Sequence, residues 1–181
     1  MVIRIKTAVV AAWLLFSCLQ TWAQAASEYQ LKSAFIYNFL QFVEWPQESL
    51  PATNSVIVIG ILGDDPFGTE IDRAFRDHQI NGHPLSVRRY KTLDQVQICH
   101  ALFVSQSERD RLPEILAKVG ERGVFSVSDI EGFAARGGVL GFVHDNGKLR
   151  FEINVGAIKR ARLRVSSKLL RLARIVGGKG S

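Results

Sequence analysis

Cysteine is scarce in this chain, with 2 in 181 residues, Cys18 and Cys99. That poverty excludes a disulfide-stapled scaffold. Zinc motifs are missing too: there is no H-E-x-x-H and no Cys/His pair at zinc spacing. His78 and His83 lie across a turn, and the adjacent Cys99 and His100 would point to opposite faces of a strand. Neither G-x-G-x-x-G nor G-x-x-x-x-G-K-[ST] occurs. The nearest glycine-rich stretch, "GILGDDPFG", opens its helix with two aspartates, which would repel a phosphate. There is no G-x-S-x-G elbow, and no carboxylate pair is set apart by its spacing. Absence of a motif does not exclude an enzyme, but no pattern supports one. Repeats and low-complexity segments are also absent.

The amino terminus is where the informative residues begin. Arg4 and Lys6 precede an apolar run from Thr7 to Leu19, and Ala23-Gln24-Ala25 supplies a small-x-small cleavage site. These are the features of a secretory signal peptide. The run is shorter than the ~20 residues of a membrane-spanning helix, and no later segment is long and apolar enough to span. Cleavage after Ala25 is therefore expected, giving a signal peptide at 1–25 and a mature domain at 26–181. Retention as an anchor is the alternative; lipidation at Cys18 is opposed by Phe16, where a lipobox prefers a small residue. Cleavage would remove Arg4 and Lys6, leaving 21 basic residues against 17 acidic and a net charge of +4 in place of +6. Nucleic acid is not expected as a partner of an exported protein; a modest positive charge suits a membrane surface or an acidic protein. Cys99 would then stand alone, either as a buried small hydrophobe or as a redox-sensitive thiol.

Periodicity organises the rest. "SEYQLKSAFIYNFLQFV", Ser27 to Val43, predicts a helix ended by Pro46. Leu31, Phe35, Phe39 and Phe42 form one stripe; Ile36, Leu40 and Val43 form a second beside it. Together they cover more circumference than one core requires. Either the helix is sandwiched within the fold, or the second stripe meets a partner. "SVIVIGILG" reads as a buried strand, and Asp65-Pro66 as the start of a helix. Strands are expected at Leu85–Arg89, His100–Ser105 and "GVFSVSD". A helix "ERDRLPEILAKVG" capped by Ser107 and a short helix "IEGFAARGG" alternate with them. Asp145-Asn146-Gly147 joins two strands in an antiparallel hairpin, with Leu149, Phe151 and Ile153 on one face. The sum is a single compact α/β domain with a mixed, mostly parallel sheet of about six strands, flanking helices, and a carboxy-terminal hairpin plus helix.

The segment from Lys159 to Val176 holds seven Lys and Arg. Leu169, Leu172, Ala173 and Val176 predict a core-facing helical stripe, with Ser166 or Ser167 as N-cap and Lys168, Arg171 and Arg174 on the opposite face. That basic face is either solvated or a docking surface for an acidic partner or anionic lipid.

Taken together, "KSAFIYNFLQFVEWP", "LGDDPFG", "CHALFVS", "FAARGGVLGFV", "LRFEIN" and "RVSSKLLRLA" resemble the YfiR-like periplasmic proteins in the family's order, over essentially the whole mature chain. The resemblance implies a compact α/β domain, often a homodimer, without a cofactor. It further implies a non-enzymatic repressor that contacts the periplasmic region of a membrane-bound diguanylate cyclase. An outer-membrane lipoprotein sequesters that repressor, and cyclic di-GMP and biofilm formation rise when it is lost or captured. One departure stands out: relatives often pair the cysteine before "HALF" with one before "LGDDPFG", where this chain has Gly60. On this reading the partner-binding candidates are Ile36, Leu40, Val43, Lys168, Arg171 and Arg174. The alternative is a periplasmic small-molecule binding module feeding a sensor or transporter, with Arg88, Arg136 or Arg171 holding an anionic ligand. A hydrolase without a recognised motif ranks third.

Overall fold

A strand that reads Ile-Val-Ile-Gly-Ile-Leu offers water no polar face, so both its sides must be covered. The computed structural model describes residues 28–50 and 55–177; the expected signal peptide and cleavage site lie outside them. Strand β2 (Ile57–Leu62) is buried at every position, as are β5 (Ala101–Val104) and β6 (Phe125–Ser128). They form the centre of an eight-stranded sheet with β3 (Gln79–Ile80), β4 (His83–Tyr90), β7 (Leu140–Asp145), β8 (Lys148–Asn154) and β10 (Arg174–Val176). The order is β10-β8-β7-β6-β5-β2-β4-β3. Strands β4, β2, β5, β6 and β7 run parallel. β8 returns antiparallel to β7, and β10 lies parallel to β8. A separate antiparallel pair joins β1 (Val43–Glu44) to β9 (Arg164–Val165).

Alternation sends successive side chains to opposite layers. Ile57, Ile59, Ile61, Phe103, Phe125 and Val127 enter one core with helix α1 (28–40), α2 (Glu70–Phe75), α4 (Val155–Arg160) and α5 (Ser167–Leu172). Leu62, Leu102 and Val104 enter the other with α3 (Leu112–Val119) and Phe133. The fold is thus the expected mixed α/β domain, with more strands than the periodicity revealed. The extra ones are short pairs: Asn81-Gly82 turns β3 into β4 with φ of 52° and 83°. Asn146-Gly147 does the same for β7 and β8, at 51° and 72°, the left-handed conformation that a tight hairpin turn needs.

Several boundaries differ from expectation. α1 ends at residue 40, and Val43 pairs with Val165, because strand pairing satisfies the backbone there. Asp65 Oδ1 accepts from the Phe67 amide at 2.8 Å and holds a turn, so α2 begins only at Glu70. Gln106–Arg111 is a 3-10 turn leading into α3. Ser107 does not cap it; its hydroxyl accepts from Asp64 N–H at 3.0 Å. Residues 131–137 are turns, not helix.

The carboxy-terminal helix is the largest correction. Ser166 does cap it, accepting from Lys168 N–H. Yet α5 has 6 residues, and Ala173 leaves the helix with an extended backbone. Arg174, Ile175 and Val176 then pair with Glu152, Ile153 and Asn154. A sheet edge supplies hydrogen-bond partners that a longer helix would forgo. The expected core stripe therefore dissolves: Leu169 is fully buried, whereas Leu172 is 71% exposed. Leu169→Ala should cost about 2–5 kcal/mol, the range for a buried leucine. Leu172→Ala should stay within about 0.5 kcal/mol. Urea unfolding of the two variants checks the assignment.

Candidate functional site

The chain runs from β2 to β4 on one side and then across to β5 on the other, so its direction reverses between β2 and β5. Open α/β sheets bind ligands outside the carboxyl ends of strands at such a reversal. Here the loops after β2, β5 and β6 bring Asp64, Gln106, Ser107 and Asp129 to that end. Gly63 has φ of 90°, and a Cβ there would meet Ser107 Oγ at 2.3 Å, so only glycine lets the two loops close.

The crevice is filled by α1. Lys32, almost wholly buried, places Nζ 2.6 Å from Asp129 Oδ2 and 2.6 Å from Glu28 Oε1. Tyr29 donates its hydroxyl to Asp129 at 2.8 Å, and Gln106 Nε2 donates to the Asp129 carbonyl at 2.7 Å. The Lys32 ammonium sits 4.2 Å from the Tyr29 ring centre, a cation–π contact. Burial, then the Asp129 carboxylate, pushes the Tyr29 phenol far above its usual range. Among the described residues every buried side-chain polar atom has a partner. The cluster is therefore a clasp that fastens α1 to the strand ends. Among the described residues no group of three or more His, Cys, Asp or Glu could hold a metal. No described helix is long and apolar enough to cross a membrane.

The partner stripe expected at Ile36, Leu40 and Val43 is buried in the core, so it offers no surface. The helix is sandwiched by this stripe, and it is the neighbouring one that reaches solvent: Leu31 is exposed and Phe35 half-buried. Lys168 and Arg171 are exposed on α5. Arg174 is not on the helix face with them but on β10, ion-paired with the buried Glu152 carboxylate. The three arginines proposed for an anionic ligand do not converge. Arg88 is on β4 and Arg171 is beside β10, at opposite ends of the sheet, and Arg136 is in the turn after β6.

Cys99 precedes β5 rather than lying within it, and is half-buried. It donates to the Ala101 carbonyl, and burial pushes its thiol up to about 12, which leaves it unreactive at neutral pH. A Cβ built on Gly60 would lie 2.9 Å from Cys99 Sγ, the spacing of roughly 3 Å that an S–S bond of ~2.05 Å imposes. Sequence reasoning weighed the neighbouring His100 only as a metal ligand and missed its structural role. Its Nδ1 accepts from Val58 N–H at 2.9 Å, so Nε2 carries the proton and donates to the Ser49 carbonyl at 2.9 Å. The His100 carbonyl accepts from Trp45 Nε1 at 2.9 Å and from Phe125 N–H at 2.8 Å. One imidazole thus joins β2, β5 and the segment after α1. Desolvation lowers its pKa, and nearby His83 lowers it further.

Fold and site define a doubly wound α/β domain whose crevice is occupied by its own side chains. The chain belongs to the YfiR/HmsC-like family, whose profile matches residues 29–174, and this bears out the resemblance read from the sequence. Membership places the chain among periplasmic regulatory proteins. Among solved structures, the chain is similar to a conserved domain protein from Vibrio cholerae O1 biovar El Tor, with TM-score 0.50 and 12% identity over 72% of this chain and 57% of that one. It also matches the ABC domain in complex with L-Trp from Streptococcus pneumoniae, with TM-score 0.49 and 12% identity over 67% and 55%. The Vibrio likeness concerns the fold alone, and this chain spans little more than half the length of either structure. No curated protein matches.

Three measurements test this geometry. Because the folded-state pKa of His100 lies below its unfolded value near 6.5, the unfolded chain takes up a proton first as pH falls. The stability contributed is full above about 6.5 and is lost as pH drops through the lower folded value. Unfolding free energy should therefore fall below pH 6.5, and the fall should be shallower in His100→Gln. Gly60→Cys should oxidise to a disulfide with Cys99, removing the titratable thiol and stabilising the domain by about 2–4 kcal/mol over its reduced form. Gly60→Ala should destabilise it, since Leu102 Cδ1 and Tyr90 Cε2 stand 2.8 Å from the added carbon.

Proposed function

We propose that this chain is an exported repressor that restrains a membrane-bound diguanylate cyclase by direct contact with its periplasmic region. The observation that carries the reading is the family match over residues 29–174. The amino-terminal features of an export signal support it, and so does a crevice filled by Lys32, Tyr29 and Asp129. The exposed Lys168 and Arg171 suit an acidic partner surface. In the full scheme the repressor is a homodimer, and an outer-membrane lipoprotein captures it to release the cyclase. Biofilm formation then follows cyclic di-GMP.

Deleting the gene should raise cellular cyclic di-GMP and surface attachment, and deleting one particular membrane cyclase as well should abolish the rise. A single deletion that leaves cyclic di-GMP unchanged under every envelope stress tried would remove the repressor reading.

A further inference from the structure

The packing of α1 leaves apolar surface over. Phe39 meets Phe151 with ring centres 4.5 Å apart, and Phe35 stacks on Phe39 at 5.6 Å. Phe35 also approaches Phe151 at 6.5 Å, and both rings remain half-buried. One turn earlier on the same stripe, Leu31 is 47% exposed. Glu28 reaches His144 at 3.4 Å, so this turn lies over the hairpin, where His144 pairs with Leu149. Beyond Phe151, the exposed Leu172 lines a groove of about 390 Å³ with Phe151, Val143 and Arg150. Ile175, paired with Ile153 in register, is 46% exposed. Five large apolar side chains are exposed among the described residues; two of them, Leu172 and Ile175, are at this edge, and Leu31 is on α1 in the turn that lies over the hairpin. The other two, Val56 and Ile98, precede β2 and β5 at the opposite end of the strands.

The rim is basic. Lys148, Arg150, Lys168 and Arg171 make no ion pair among the described residues; Arg171 bonds only the Ser167 hydroxyl, at 3.4 Å. Arg174 is neutralised by Glu152 and Glu28 by Lys32. Asp145, hydrogen-bonded to the Asn146 amide, is the carboxylate that remains near the hairpin turn. The backbone adds a third feature. β10 pairs only with Glu152, Ile153 and Asn154, so β8 from Lys148 to Phe151 has no strand on that side.

We infer that the β8/β10 edge docks an extended acidic segment of a protein partner, with Phe151 and Leu172 at its apolar centre and Arg150, Lys168 and Arg171 on its rim. An unpaired strand edge recognises another backbone by strand addition, with alternate side chains set in the adjoining groove. A lipid headgroup has no backbone to offer it. A second copy would set four unpaired cations against four, and like charges across an interface oppose association. An acidic segment satisfies the edge, the groove and the rim together. The identity of the partner rests on the function proposed above; the surface itself rests on this geometry.

The test uses the mature chain and the purified periplasmic domain of the cyclase identified by the double deletion. Leu172→Glu, and separately the pair Arg150→Glu with Lys168→Glu, should weaken binding at least about tenfold. Raising the salt should weaken the wild type more than the charge variant. Ile98→Glu, exposed at the opposite end, should bind as the wild type does. All four positions are exposed, so melting temperatures should not change. Wild-type affinity in both edge variants, with loss in Ile98→Glu, overturns the surface and leaves the repressor reading standing. So does binding that moves to phosphatidylethanolamine–phosphatidylglycerol vesicles, or a concentration-dependent dimer abolished by Leu172→Glu. If the wild-type chain binds no cyclase domain and its deletion leaves cyclic di-GMP unchanged, the repressor reading falls and the identity of the partner with it.

Discussion

A parallel sheet cannot leave either face to water, and this constraint organises the molecule. β2, β5 and β6 are apolar on both sides, so each face needs a helical layer of matching area. α3 covers one face with Leu112, Ile115 and Val119. On the other face the core runs from β2 across to the hairpin, and α1 serves most of that width. Its apolar band is broad for this reason. Ile36 and Leu40 reach the centre of the sheet, while Phe39 reaches over the hairpin to Phe142 and Phe151. What lies beyond Phe39, from Phe35 to Leu31, emerges at the rim of the sheet.

The same helix determines what the fold can do at its customary ligand end. Doubly wound domains keep a crevice at the reversal of strand order. In this chain the first turn of α1 enters it, and Lys32 exchanges water for Asp129, Glu28 and the Tyr29 ring. A buried ammonium is tolerated only when its charge is met by well-placed acceptors, and here two carboxylates and a ring meet it. A crevice closed in this way has no room left for a ligand between the loops that Asp129, Gln106 and Ser107 join. The β8/β10 edge is an exterior surface of both apolar and charged character, with Leu172 and Ile175 beside Arg150 and Arg171.

Stability and recognition are divided along the chain. At the amino-terminal ends of the strands, His100 and Trp45 fasten the segment after α1 to β2 and β5 through three hydrogen bonds. Cys99 beside them is held at a pKa that keeps it inert. At Gly60 the packing is tight: Leu102, Tyr90 and the Cys99 sulfur occupy the space above the glycine.

Much of this was determined by local sequence. The run from Ile57 to Leu62, the Asn146-Gly147 turn and the alternation of Leu149, Phe151 and Ile153 each specify their element through short-range sterics and burial, so they were legible without a fold. The family resemblance was legible for a different reason: its motifs run in order from α1 to α5. Periodicity could not rank the two stripes of α1, because both are equally apolar; only the position of the sheet decides that Ile36 goes in and Leu31 stays out. It could not foresee that Arg174 leaves the helix, since the competing hydrogen bonds belong to β8, about twenty residues earlier in sequence and adjacent only after folding. Nor could it find Lys32 or His100, whose partners Asp129, Val58 and Ser49 are remote along the chain. Sequence alone determined which segments must be buried; the tertiary structure decided which surfaces remain, because exposure depends on what else the fold has already covered.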